Sequence, residues 1–146
     1  MIYIGADHRG YQLKEFLKTH LKESNYDFED VGAHELNPAD DYPDFALAAA
    51  KKVAEKPDEN RGILLCGSGV GVDIVANKIK GIRSALCFDV RQAAISRNDD
   101  NTNVLSLPAD FVSESAAKEI VKIWLETKFS GEERHIRRVG KIDRIV

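Results

Sequence analysis

Two hydrophobic periods alternate along the chain. Tyr3-Ile4-Gly5-Ala6 is a short apolar run that stops at the polar turn Asp7-His8-Arg9-Gly10. Leu13, Phe16, Leu17 and Leu21 then recur at helical spacing and give one apolar face. Tyr26 to Val31 alternates apolar and polar residues, the pattern of a weaker strand near a sheet edge. Gly32 to Asp41 is a polar loop containing Pro38. Pro43 opens a helix through Phe45, Ala46, Ala49, Ala50 and Val53, at a position where its missing N–H is tolerated. Gly62-Ile63-Leu64-Leu65-Cys66 is apolar throughout, which predicts a central strand covered on both faces.

The second half repeats the alternation. Val72, Ile74, Val75, Ala76 and Ile79 suggest a short helix, and Ile82 to Phe88 a fourth strand. Asp89 begins a helix through Ala93, Ala94 and Ile95, and Val104-Leu105-Ser106-Leu107 is a fifth strand. Ser113 is the N-cap of a helix carrying Ala117, Ile120, Val121, Trp124 and Leu125, without the capping-box glutamate. From Ser130 onward runs a basic tail with Arg134, His135, Arg137, Arg138, Lys141 and Arg144. Five strands alternating with helices predict an α/β fold, a five-stranded parallel sheet with helices on both faces. No repeat or linker interrupts it, so residues 1–146 are expected to form a single domain. Ligands of such sheets bind beyond the carboxyl ends of the strands. Asp7-His8, Cys66 to Gly71, Asp89 and Asn98 to Asn103 follow or flank strand ends and are expected to share one edge.

Composition removes several classes. A net charge of −3 gives no basic field for nucleic acid or an anionic membrane. The apolar runs are far short of a bilayer span, and the first residues lack the basic flank of a signal peptide. Cys66 and Cys87 alone make no disulfide framework, so free thiols in the cytoplasm are expected.

The stretch Leu65-Cys66-Gly67-Ser68-Gly69-Val70-Gly71-Val72-Asp73 carries the candidate chemistry. A nucleotide-binding P-loop needs a lysine after its last glycine, and here Val72-Asp73 follows. A dinucleotide fingerprint needs G-x-G-x-x-G after the first strand, whereas this G-x-G-x-G follows the third. The remaining reading is an anion-binding turn at a helix N-terminus, able to hold an oxyanion. A thiol there is more readily a thiolate. Cys66 can equally be a packed core thiol, as expected for Cys87 within Ala85-Leu86-Cys87-Phe88, and at this level both readings of Cys66 stand.

These segments also resemble the type B ribose-5-phosphate isomerases, a group that includes galactose-6-phosphate isomerase subunits. The resemblance rests on Asp7-His8, Asp41-Tyr42-Pro43-Asp44, Gly62 through Gly71, Asn77-Lys78, Gly81 through Cys87, Asn103-Val104-Leu105 and Arg134 through Val139. It runs nearly end to end. It implies a Rossmann-like αβα sandwich, a homodimer or tetramer with active sites shared between subunits, and aldose–ketose isomerisation of a sugar phosphate without metal or other cofactor. By resemblance Cys66 is the base, assisted by Ser68, which stands where threonine is usual. Gly67, Gly69, Val70 and Gly71 would donate N–H groups to a cis-enediolate. Asp7 would face a hydroxyl or ring oxygen and His8 the phosphate or sugar. Arg134 and Arg138 match the phosphate-binding arginines, and their i, i+4 spacing gives one face if the tail is helical.

One segment departs from the family pattern of Arg, any, His, Asn, any, Ala, Asn. Here it reads Arg97-Asn98-Asp99-Asp100-Asn101-Thr102-Asn103. Asp99 takes the place of the ring-opening histidine and Asp100 that of an asparagine supporting the enediolate. An unperturbed aspartate is a poor acid at neutral pH. Three readings follow: Asp99 replaces the histidine, Asn98 or a water assists instead, or the substrate is a four-carbon sugar phosphate that closes no ring. Ribose 5-phosphate to ribulose 5-phosphate is the leading expectation. The alternatives are a four- or six-carbon sugar phosphate, or a non-catalytic phosphate-ligand subunit.

Overall fold

The computed structural model describes residues 1–145. The elements follow in the order β1 (Ile2–Ala6), α1 (Tyr11–Glu23), β2 (Phe28–Asp30), α2 (Tyr42–Ala54), β3 (Arg61–Cys66) and α3 (Val70–Ala76). They continue with β4 (Ser84–Leu86), α4 (Val90–Asp100), β5 (Val104–Pro108), α5 (Glu114–Glu126) and α6 (Glu133–Asp143). The strands form one all-parallel sheet in the order β2-β1-β3-β5-β4. This is the Rossmann-like αβα arrangement expected.

Hydrophobicity sorts the strands. β1 and β5 are buried at every position and β3 at all but its first, and these three fill the centre. β2 and β4 have three residues each, are partly exposed, and sit at the edges. The fourth strand is shorter than Ile82–Phe88 because its flanking amides are claimed elsewhere. The Ile82 N–H donates to the Ile79 carbonyl, the Arg83 N–H to Asn103 Oδ1 and the Phe88 N–H to Gln92 Oε1. β2 loses Tyr26 likewise, because its N–H closes the end of α1 on the Leu21 carbonyl.

Alternation along β3 divides the core. Ile63 and Leu65 pack with Leu17 and Leu21 of α1 and Ile120 and Trp124 of α5. Leu64 and Cys66 face the other way, with Ala46, Ala50 and Val53 of α2 and Val72 of α3. Asp89 caps α4 by accepting the Gln92 N–H at 2.7 Å, and Ser113 caps α5 by accepting the Ala116 N–H at 3.1 Å. The basic tail is α6, with His135 and Val139 on its buried side and Arg134 and Arg138 exposed. No described helix is long and apolar enough to cross a membrane.

The strand order creates a switch point. From β1 the sheet grows to β2 on one side and to β3 on the other, so a crevice opens beyond the carboxyl ends of β1 and β3. Asp7 and Gly67 are the first residues past those ends. The expectation that Asn98 to Asn103 lie at the same edge is wrong. α4 starts beyond the carboxyl end of β4 and runs back, so these residues precede β5 at the amino end of the sheet. The Asn103 carbonyl accepts from Gly62 N–H at 2.9 Å, four residues along β3 from Cys66, or about 13 Å at about 3.3 Å per residue.

The edge strand β2 is tied down by charge. Lys14 is fully buried on α1, and its ammonium donates to both oxygens of Asp30 at 2.7 and 2.8 Å. Lys18 adds a bond to Asp30 Oδ2 at 2.7 Å. Burial alone would raise the Asp30 carboxyl, but the two ammonium groups and the Gly32 N–H outweigh it and hold it below its ordinary value. Asp30 therefore stabilises the fold above its unfolded pKa, near about 4, and this contribution fades as pH falls through the lower folded value. Asp30→Asn is expected to cost about 2–4 kcal/mol at pH 7, because Lys14 would keep a buried charge whose remaining carboxylate, Glu15, lies at 3.7 Å. Urea titrations at several pH values should show the gap to the unmodified chain narrowing below about pH 4.

Candidate active site

A cavity of about 530 Å³ occupies the switch-point crevice. Asp7 and Arg9 line it from the turn after β1, Cys66 to Ser68 from the end of β3, and Asp110 and Phe111 from the end of β5. Tyr42, at the start of α2, and Val70, Gly71 and Ile74 of α3 complete the wall. Of the sequence candidates, Asp7, Cys66, Gly67, Ser68, Val70 and Gly71 line the cavity together. Arg9, Tyr42, Ile74, Asp110 and Phe111 were missed, although Asp110 and Phe111 come two and three residues after the end of β5 and Arg9 shares the turn of Asp7.

The glycine loop folds as it does because of Gly69. Its φ is +74°, and an added Cβ would lie 2.5 Å from Leu86 Cδ1 and 3.0 Å from the Leu107 carbonyl carbon. Backbone and space both require glycine there. The turn brings the Gly69 N–H onto Cys66 Sγ at 3.2 Å. A Cβ on Gly71 would meet the Tyr42 ring at 2.5 Å, so the ring lies flush against the first turn of α3. Ser68 Oγ accepts the Val70 N–H at 3.3 Å and makes no bond to Cys66, which leaves its own proton free to donate. The first intrahelical bond runs from Asp73 N–H to the Gly69 carbonyl, so the N–H groups of Gly71 and Val72 precede the ladder. Among the four expected donors, Gly69 and Val70 are thus engaged with Cys66 and Ser68, and Gly71 is not.

A polar network holds the loop from behind. Ser84 Oγ donates to Asp73 Oδ1 at 2.6 Å and lies 3.0 Å from Ser106 Oγ. Asn77 brackets Ser84, accepting its N–H at 2.9 Å and donating to its carbonyl at 3.1 Å. Burial raises the Asp73 carboxyl above its ordinary value against the opposing serine bonds. α3 is thereby fastened to β4 and β5.

Asp7 Oδ1 accepts the N–H groups of Arg9 and Gly10, both at 3.0 Å, which fixes the turn after β1. His8 is turned to Asp40, whose Oδ1 lies 3.0 Å from the His8 amide nitrogen and 2.7 Å from Nδ1. His8 is not among the residues lining the cavity. Asp7, His8 and Asp40 are the three described side chains whose possible metal-donor atoms fall within 4.8 Å of one another. Their contacts are those of a hydrogen-bonded turn. Arg9 pairs with Asp110 across the cavity mouth. The cavity therefore holds two carboxylates, Asp7 and Asp110, against one guanidinium. Cys87 is a core thiol as expected, fully buried and pushed up to about 11 by that burial.

The remaining candidates gather at the opposite edge. Asp99 Oδ1 accepts from Asn98 Nδ2 at 2.8 Å and lies 3.8 Å from His135 Nε2 of α6. Asp100 lines a separate cavity of about 430 Å³ whose wall includes the Arg83–Asp143 ion pair. Arg134 and Arg138 stand exposed one turn apart on α6, and Arg134 pairs with Glu132 at 2.9 Å. One chain does not bring these four residues to Cys66.

The model of the ribose/galactose isomerase family matches residues 2–142. A probable ribose-5-phosphate isomerase B of Mycoplasma genitalium is 44% identical over 143 residues, 98% of this chain and 93% of that protein. Ribose-5-phosphate isomerase B of Mycobacterium tuberculosis is 38% identical over 94% of this chain and 85% of its own length. The crystal structure of the Mycoplasma genitalium enzyme with bound ribulose-5-phosphate superposes with a TM-score of 0.96, covering 99% of this chain and 94% of that one. The Clostridium thermocellum ribose-5-phosphate isomerase B gives 0.93 at 43% identity, over 99% and 95%.

The two thiols should separate in reactivity. Iodoacetamide under native conditions is expected to alkylate Cys66, which lines the cavity, and to leave Cys87 untouched until the chain is unfolded. Peptide mass spectrometry reads this directly. Gly69→Ala should lower stability by about 1–3 kcal/mol in a denaturant titration, because it places a Cβ at a left-handed position against packed atoms.

Proposed function

The chain belongs to the ribose/galactose isomerase family, and from that membership we propose that it interconverts ribose 5-phosphate and ribulose 5-phosphate. The observation that carries this reading is the switch-point cavity, with a thiol on its floor and an N–H-rich glycine turn beside it. Aldose–ketose isomerisation needs that pairing. A base removes the C2 proton of the open-chain aldose, and the electrons flow to O1 and make an enediolate. Cys66, as thiolate, takes this proton and returns it to C1. The negative oxygen is held by the Gly71 N–H and by those of Gly67, Gly69 and Val70 as the loop adjusts. Ser68 carries a free hydroxyl proton and relays the exchange between O2 and O1. Asp7 faces a sugar hydroxyl or the ring oxygen, and His8, which does not line the cavity, reaches the phosphate or sugar only by turning from Asp40.

Charge argues that the site is completed by a second copy of the chain. A phosphate dianion would meet two carboxylates and one already paired guanidinium in the cavity. The Arg134 and Arg138 guanidinium groups suit it, but they lie at the far edge of the same protomer. The cavity rim exposes Val70, Ile74 and Phe111, with Phe88 in edge-to-face contact with Phe111 at 6.4 Å, an apolar surface fit for covering. We therefore assign Cys66 and its loop to one subunit and Asp99, Asp100, Arg134 and Arg138 to the other, in a homodimer or a tetramer of such dimers. Asp99 takes the ring-opening position, and Asp100 turns from the enediolate or carries a proton.

Cys66→Ala should lower kcat by about a thousandfold or more while leaving the unfolding curve in place; retained turnover would refute the assignment. Mixing Cys66→Ala with Arg138→Ala under subunit exchange should restore roughly a quarter of the unmodified rate, because half the dimers are mixed and each has one intact site. No recovery means each protomer works alone. A coupled screen of four- to six-carbon sugar phosphates should give the highest kcat/KM for ribose 5-phosphate. A higher value for erythrose 4-phosphate would move the substrate, and no turnover of any of them would mark a non-catalytic subunit.

A further inference from the structure

His135 is a buried imidazole that faces Asp99 from α6, with Nε2 3.8 Å from Asp99 Oδ1. Its other nitrogen, Nδ1, lies 2.6 Å from Ser130 Oγ. Ser130 Oγ accepts the Glu132 N–H at 3.1 Å and keeps a second lone pair for Nδ1–H. When the imidazole is protonated, its Nε2–H is directed at Asp99. The Ser130 N–H donates to the Asn98 carbonyl at 3.0 Å, and the Asn98 side-chain amide donates to Asp99 Oδ1 at 2.8 Å. The chain Ser130–His135–Asp99 is therefore anchored to the last turn of α4 at both ends. The 3.8 Å gap is an ion-pair distance rather than a hydrogen bond, and catalytic contacts of this kind tighten when substrate binds.

We propose that His135 is a positioning residue that holds and supplies the proton used by Asp99 to open the sugar ring. The proposal rests on the assignment of Asp99 to the pentose-phosphate site. An aspartate alone is a poor acid at neutral pH, and an imidazole behind it supplies the missing proton. His135 in its imidazolium form passes the Nε2 proton to Asp99 and becomes neutral, as Asp99 donates a proton to the ring oxygen O4. The C1–O4 bond breaks with its electrons going to O4. The C1–O1 hydroxyl becomes the carbonyl as its proton leaves to water, and His135 regains a proton from water.

The two directions of the reaction separate this role from every other. Ribose 5-phosphate is held as a ring through O4 and must be opened. Ribulose 5-phosphate has its O5 blocked by the phosphate, cannot close that ring, and enters the reaction open. His135→Gln in the full chain should lower kcat with ribose 5-phosphate by about tenfold or more. Starting from ribulose 5-phosphate, kcat and KM should stay within about twofold, which also shows that the variant is folded. KM for ribose 5-phosphate should fall along with its kcat as the closed ring binds unproductively, because the equilibrium constant ties kcat/KM in the two directions. Ser130→Ala should show the same asymmetry to a smaller degree. Asp99→His in the His135→Gln background should restore the forward rate, since a histidine needs no proton supply.

Equal losses in both directions, a KM raised in both, or no loss in either would overturn the proposal and leave the isomerase reading standing. If Asp99→Asn does not affect ring-closed substrate, the placement of Asp99 is wrong and the proposal falls with it. If the unmodified chain turns over neither pentose phosphate, the functional reading itself fails.

Discussion

The position of β3 between β1 and β5 is the constraint on which the rest depends. It is a parallel strand apolar on both faces, so it can sit only at the middle of the sheet with helices above and below. Once it is there, its last residue, Cys66, stands at the switch-point crevice and its neighbour strands deliver Asp7 and Asp110 beside it. Register sets which face the thiol takes. Cys66 shares the face of Leu64, toward α2 and α3, and so the glycine turn that begins α3 folds over it. A shift of one residue along β3 would send the sulfur toward α1 and α5 instead.

The loop geometry is held by contacts from several elements. Gly69 tolerates the left-handed turn, Tyr42 covers Gly71, and the Asp73–Ser84–Ser106 network fastens α3 to β4 and β5. The glycine loop beside Cys66 is thus braced by part-buried polar bonds on one side and an aromatic ring on the other. Preorganised donors stabilise a developing oxyanion better than solvent, which must reorient to do so.

Much of this was legible in the residues. The 2.0 and 3.6 periods identify the five strands and the helices between them, and Asp89 and Ser113 mark two helix starts that the structure reproduces. Edge strands were overextended, because their ends depend on where distant side chains such as Asn103 and Gln92 send their bonds. The larger error concerned Asn98 to Asn103. Proximity to a strand end says nothing about which end, and only the run of α4 back along the sheet decides it. Arg9, Asp110 and Tyr42 were invisible as a group because their meeting depends on the crevice, which no local pattern encodes. Family resemblance supplied Arg134 and Arg138, which composition would have left as a solvated basic face.

The strand order also shapes how the chain can assemble. β4 has one pairing partner, β5, and β5 emerges from synthesis after it. The first three strands pair with one another and can associate early, but β4 must wait, unpaired, through the whole of α4. When β5 arrives it inserts between two strands already made and closes the sheet in one step. Until then the outer side of β3 offers an open backbone edge, the kind of surface on which a nascent chain pairs with the wrong neighbour. The shortness of β4, three residues long, limits that exposure while it waits.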